Sequence, residues 1–156
     1  MKYPTIVALL AITISCAQSN QNTENKDNKE IEPKEVPAPK GYEAAVFASG
    51  CFWCVEAIYE SVVGVKESIS GYSGGHTKNP TYEESNTGRT GHAEAVKIIY
   101  DPEKIDYKTL VDVYFNSQNV TQQNGQGPDR GSQYRSIIFY ENDKQQKIIQ
   151  QKVNSL

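Results

Sequence analysis

Two cysteines stand three residues apart in a short aromatic stretch, Gly50-Cys51-Phe52-Trp53-Cys54, which holds the chain's only tryptophan. Gly50 closes the strand-like run 43–49 (Glu-Ala-Ala-Val-Phe-Ala-Ser), so Cys51 falls at the N-terminus of the helix that follows. Unpaired N–H groups and the helix macrodipole favour an anion there, and a thiol so placed ionises more readily. Cys54 lies at i+3 on the same helical face, within reach of Cys51 if the first turn distorts slightly. The spacing suits a nucleophile, Cys51, and a partner, Cys54, that resolves its intermediate as a disulfide. Two buried thiols packing as small hydrophobes would not explain a pair at a strand-to-helix junction. A zinc site is the other competitor, because Cys51, Cys54, His76 and His92 offer two sulfurs and two nitrogens. Zinc frameworks usually space their histidines more tightly than the fifteen residues that intervene here, so no metal is expected.

Phe52 and Trp53 follow the nucleophile directly. Adjacent positions on a helix turn toward different sides, so at least one ring can line a pocket beside the sulfur while the other joins the core. An aromatic wall suits a methyl or thioether group, since sulfur and S-methyl groups pack favourably on rings. An acid is expected from the strand 92–100, where alternation puts His92, Glu94, Val96, Ile98 and Tyr100 on one face and Ala93, Ala95, Lys97 and Ile99 on the other. Glu94 shares its face with large apolar residues. A carboxyl so placed loses its hydration, its pKa rises, and it can donate a proton near neutral pH. The competing reading is a carboxylate paired with Lys or Arg at a strand end.

The elements that must position these groups follow from periodicity. Runs bounded by turn residues predict strands at 43–49, 65–72, 92–100 and 134–140. Helices are expected over 52–62 and over 107–116, the second carrying Tyr107, Leu110, Val111 and Tyr114 behind a capping Asp106. Asn142 caps a last helix whose apolar stripe is Ile149, Val153 and Leu156. The order β-α-β-β-α-β plus a terminal helix predicts an α+β fold, a ferredoxin-like two-layer sandwich. Two long polar connections, Gly74 to Gly91 and Gln118 to Gln133, are expected to build the site around the start of the first helix.

The 156 residues suffice for one domain. Lys2 and the apolar run Ile6 to Ile14 before Ser15-Cys16 predict a signal peptide over 1–16, too short for a permanent membrane span. A small residue immediately before Cys16 resembles a bacterial lipoprotein signal, in which the cysteine is lipidated and anchors the protein to a membrane. Residues 17–40, poor in large apolar side chains and ending in prolines, are expected to form a disordered linker to a folded domain over 41–156. The protein is thus expected in the bacterial cell envelope or periplasm. A formal charge of −3 with interspersed signs gives no basic stripe for nucleic acid.

Five stretches together resemble the peptide methionine sulfoxide reductase family, type A: Gly50-Cys51-Phe52-Trp53; Gly71-Tyr72-Ser73-Gly74-Gly75; Asn79-Pro80-Thr81-Tyr82; Gly88-Arg89-Thr90-Gly91-His92-Ala93-Glu94; and Asp129-Arg130-Gly131-Ser132-Gln133-Tyr134-Arg135-Ser136. The resemblance covers nearly all of 43–140. It implies that Cys51 attacks the sulfur of a methionine S-sulfoxide, that Glu94 protonates its oxygen, and that Tyr82 and Tyr134 donate hydroxyls to that oxygen. It further implies that Phe52 and Trp53 wall the ε-methyl pocket and that Asp129 helps shape the site. Methionine leaves a Cys51 sulfenic acid, which Cys54 converts to a disulfide. No bound cofactor is implied; the reductant is thioredoxin or another external dithiol, and the substrates are oxidised proteins and peptides or free methionine sulfoxide. Where the family commonly has His-Asp-Pro-Thr, this chain has Gln118-Asn119-Val120-Thr121. Cys54 makes the recycling cysteines carried on the longer tails of relatives dispensable. Two other functions fit parts of the pattern: a thioredoxin-like dithiol oxidoreductase, from Cys-x-x-Cys alone, and a non-catalytic binder of oxidised methionine.

Overall fold

A computed structural model describes residues 35–156. The expected signal peptide, Cys16 and most of the expected linker lie outside the described residues; 35–42 form no helix or strand.

Four strands form one sheet: β1 (Glu43–Ala48), β2 (Val65–Ser73), β3 (Ala93–Tyr100) and, after two further strands described below, β6 (Ile137–Phe139). The order is β2-β3-β1-β6, and every neighbouring pair is antiparallel. β1 and β2 therefore run parallel with β3 between them. The pairing sets Phe47 opposite Val96 and Tyr72 opposite Glu94. Period-two alternation sorts the side chains as expected. Ala45, Phe47, Val96, Ile98 and Tyr100 face the helices, whereas Ala48, Ala93 and Ala95 pack on the opposite face with Val46, Ile137 and Phe139.

The helical layer comprises α1 (Phe52–Glu60), α3 (Tyr107–Asn116) and α4 (Asp143–Asn154), which send Phe52, Val55, Tyr59, Leu110, Val111, Tyr114, Ile148 and Ile149 into the core. Phe47 lies at its centre, with the rings of Tyr59, Tyr107 and Tyr114 at 5.6, 6.0 and 5.5 Å. Two of these tyrosines also place hydroxyls on the backbone: Tyr59 donates to Leu110 O at 3.1 Å, and Tyr114 to Ala48 O at 3.2 Å. The second bond anchors the end of β1, three residues before Cys51.

Capping chemistry explains the helix starts. Asp106 accepts from Thr109 N, and Asn142 from Gln145 N, as the sequence predicts. Three expectations need correction. The α4 stripe is Gln145, Ile148 and Ile149, while Val153 and Leu156 are 46% and 74% exposed. The strand expected over 134–140 shrinks to Ile137–Phe139, because Ser132–Tyr134 winds into a 3-10 turn. The Gly74–Gly91 connection is not all loop: Thr81 and Glu84 form a capping box that starts α2 (Tyr82–Asn86). The second connection folds back as a small hairpin, β4 (Gly125–Gln126) with β5 (Asp129–Arg130).

Candidate active site

Cys51 occupies the N-cap of α1, as its position after Gly50 predicts. Gly50 is required there: its φ is +93°, and a Cβ would lie 2.7 Å from the Cβ of Gln126 on the β4–β5 hairpin. The hairpin thus rests on the residue before the nucleophile. One detail differs from expectation. The Cys51 side chain makes no capping hydrogen bond, and the first helical N–H, that of Phe52, donates instead to Glu94 Oε2 at 3.0 Å. The macrodipole still ends at the thiol, but its nearest donor serves the carboxyl.

Glu94 is 2% exposed and faces the helices from β3. Burial pushes its carboxyl above the ordinary glutamate range; the Phe52 N–H opposes the shift and the charge of Asp129 adds to it. No Lys or Arg bridges it among the described residues, so the surface ion-pair reading fails. Three phenols gather on this side of the site: Tyr134 and Tyr72 feel the Glu94 charge, and Tyr82 neighbours both. Tyr134, at the end of the 3-10 turn, has its pKa raised by burial and then by the charges of Glu94, Tyr82 and Asp129. Tyr82, the first residue of α2, is 40% exposed. Tyr72 on β2 was not expected as a site residue, although it lies within the Gly71–Gly75 stretch; burial and the Glu94 charge push its phenol up to about 12.

The aromatic wall divides as anticipated. Phe52 is buried, with Tyr72 at 5.5 Å and Tyr82 stacked at 6.4 Å, while Trp53 is 60% exposed and stacks on Tyr82 at 5.7 Å. The result is an open aromatic platform built on the two residues between the cysteines, and the first of them holds the buried acid by its N–H.

Cys51 and Cys54 are both free thiols, Cys51 half-buried and Cys54 exposed. The charge of Cys51 raises the Cys54 pKa most, followed by burial, a hydrogen bond to Cys51 and the charge of Asp129. The two sulfurs are therefore neighbours in the reduced protein. They line a cavity of about 250 Å³ with Ser49, Val55, Gln126 and Asp129. Gln126 fixes that side by accepting Asn119 N–H at 2.9 Å and donating to Gln118 Oε1 and Asn119 O, each at 3.2 Å. The segment Gln118–Thr121 thus has a built role in holding the hairpin. His92 leaves the site: its ring nitrogens meet Gly75 N and Thr77 O at 3.2 and 2.9 Å. Among the described residues no three His, Cys, Asp or Glu side chains are grouped to hold a metal ion.

The family model described as "Peptide methionine sulfoxide reductase" matches residues 43–156. The chain belongs to the peptide methionine sulfoxide reductase family. A relative from Mesorhizobium japonicum, named peptide methionine sulfoxide reductase MsrA 2, is 52% identical over 123 residues, covering 78% of this chain and 63% of that protein. One from Pasteurella multocida is 50% identical over 114 residues, covering 73% and 66%. The chain therefore spans slightly under two thirds of the length of these curated relatives. Methionine sulfoxide reductase A of Corynebacterium diphtheriae superposes with a TM-score of 0.68 at 30% identity, covering 82% of this chain and 72% of that one. Reduced Mxr1 from Saccharomyces cerevisiae gives 0.71 at 28% identity, covering 78% and 72%. The reductase-family fold is thus reached from sequence and from structure alike.

Proposed function

We propose that the domain is a peptide-methionine (S)-S-oxide reductase. The observation that carries this reading is the buried Glu94 carboxyl, hydrogen-bonded to the N–H of the residue next to Cys51 and raised in pKa by its burial. Burial favours the proton on this carboxyl, and the backbone N–H that holds it belongs to the residue directly after the thiol.

The chemistry is electrophilic activation followed by thiol attack. Glu94 donates its proton to the sulfoxide oxygen, which makes the sulfur electrophilic, while Tyr82 and Tyr134 hydrogen-bond that oxygen. Cys51 Sγ attacks the sulfur; methionine departs and the oxygen ends on Cys51 as a sulfenic acid. The Trp53–Tyr82 platform holds the S-methyl group against an aromatic face. Cys54 Sγ then attacks the Cys51 sulfenic sulfur, the S–O bond breaks, the thiol proton joins the leaving hydroxyl, and water departs. An external dithiol such as thioredoxin reduces the resulting Cys51–Cys54 disulfide and is itself oxidised.

Single turnover of the reduced protein with the two separated sulfoxide epimers tests the reading. One methionine per chain and loss of two thiols are expected with the S epimer, and neither with the R epimer. Reduction of insulin disulfides with no methionine formed points instead to a dithiol oxidoreductase, and binding without thiol loss to a non-catalytic module. The apolar run before Cys16 supports export and a lipid anchor. Cys16→Ser is expected to release the protein from membranes, and equal membrane association of the variant removes the anchor from the proposal.

A further inference from the structure

The third phenol near Glu94 has no part in the steps above. Tyr72 is the residue paired with Glu94 across β2 and β3, so both side chains stand on the helical face of the sheet as direct neighbours. Its ring leans on Phe52 at 5.5 Å, and Phe52 is the residue whose N–H holds Glu94 Oε2. Beyond the ring lies Ser85, 1% exposed, whose hydroxyl approaches the Tyr72 oxygen without closing a hydrogen bond of normal geometry. The space on the β2 side of the carboxyl is therefore filled by side chain.

We propose that Tyr72 is a positioning residue for the acid, its ring closing the β2 side of the Glu94 carboxyl against water and holding it beneath the Phe52 N–H. This rests on the reductase reading for its consequence in turnover, and on the strand pairing for its geometry. The groups that face Glu94 from other elements are Asp129 of β5, Tyr134 of the 3-10 turn and the Phe52 N–H of α1, with Tyr82 of α2 beside Tyr72 and Tyr134. Asp129 favours the protonated acid by its charge, whereas the Phe52 N–H favours the ionised form. Dehydration has the largest influence, and Tyr72 supplies it from the strand beside Glu94. A polar, hydrated side chain at 72 lets water reach the carboxyl, which then ionises at lower pH.

The test compares the reduced full chain with Tyr72→Phe and Tyr72→Gln in single-turnover methionine formation across pH. In parallel, infrared titration of the Glu94 carboxyl, assigned by subtraction of Glu94→Gln, reads the acid without any turnover. Tyr72→Phe keeps the ring and is expected to leave both curves in place. Tyr72→Gln is expected to move the alkaline fall in rate, and the infrared midpoint, down by about one unit, a tenfold loss of rate on that limb. Should Tyr72→Gln fail to fold by circular dichroism, Tyr72→Leu takes its place with a smaller downward shift. An even loss of rate at all pH with an unmoved infrared midpoint overturns the proposal, as does a shift in Tyr72→Phe equal to that in the polar variant. A wild-type chain that forms no methionine but shows the infrared shift sinks the reductase reading and leaves the role of Tyr72 standing.

Discussion

The two sides of the first turn of α1 are built on opposite principles. Toward the sheet lies Glu94, 2% exposed, enclosed by Phe52, Tyr72 and Tyr134 and held by one backbone N–H. Toward solvent lies Cys54, exposed, facing a cavity whose far wall is a hairpin held by side-chain amides. The dry side suits an acid that must keep its proton. The open side suits the resolving role proposed for Cys54, which needs room for the thiol to move and access for an external dithiol. One helix start serves both, because the N-cap position gives Cys51 a neighbour on each side.

The largest expected effect joins the two sides. Cys51→Ser removes the group common to both, and methionine formation falls to background in a single-turnover assay. Glu94→Gln strikes the dry side alone; the first turnover slows about a hundredfold, while iodoacetamide labelling of Cys51 continues. The wild-type rate should fall as pH rises through the elevated Glu94 pKa, since the acid is then spent, and a flat alkaline limb would break the contrast.

Glu94 also makes a prediction on stability with a definite sign. Its folded pKa lies above its unfolded value, so its favourable contribution is full below the unfolded pKa and is lost as pH rises through the folded one. Glu94→Gln is therefore expected to raise the Tm at pH 8 and to gain nothing near pH 4. An equal change at both pH values would mean that the carboxyl is hydrated after all.

Smaller effects sharpen the open side. Cys54→Ser keeps the first methionine near the wild-type rate but stops at one turnover, with a sulfenic acid trapped by dimedone. Slow first turnover in this variant would place Cys54 on the dry side instead. Trp53→Ala strips the exposed half of the platform and raises KM roughly two- to tenfold with little change in kcat. The smallest change is Gln126→Ala, which removes the amide bonds of the hairpin and costs about 1 kcal/mol in urea unfolding.

Much of the site was legible because local rules governed it. The N-cap place of Cys51 follows from Gly50 and the strand before it, and the orientation of Glu94 from strict alternation along β3. Where local rules competed, reading failed. Val153 and Leu156 continue a helical period, yet α4 meets the core only through its first half, so periodicity outran the available partner surface. The 3-10 turn at Ser132–Tyr134 interrupts a stretch that reads as strand, because Gly131 enters it at a φ of +136° and the Arg135 guanidinium ties Ser132 O to the distant Gly91 O, contacts that override β propensity.

Chain order and residue chemistry alone determined that a thiol pair would open a helix and that a carboxyl would stand on an apolar strand face, since both depend on near neighbours. Tertiary structure decided which N–H the carboxyl takes, that Tyr72 stands beside it, and that Gln126 rests on Gly50. Those contacts join residues 22 to 76 positions apart, and register and loop closure are set by the whole packed sheet rather than by any stretch of sequence.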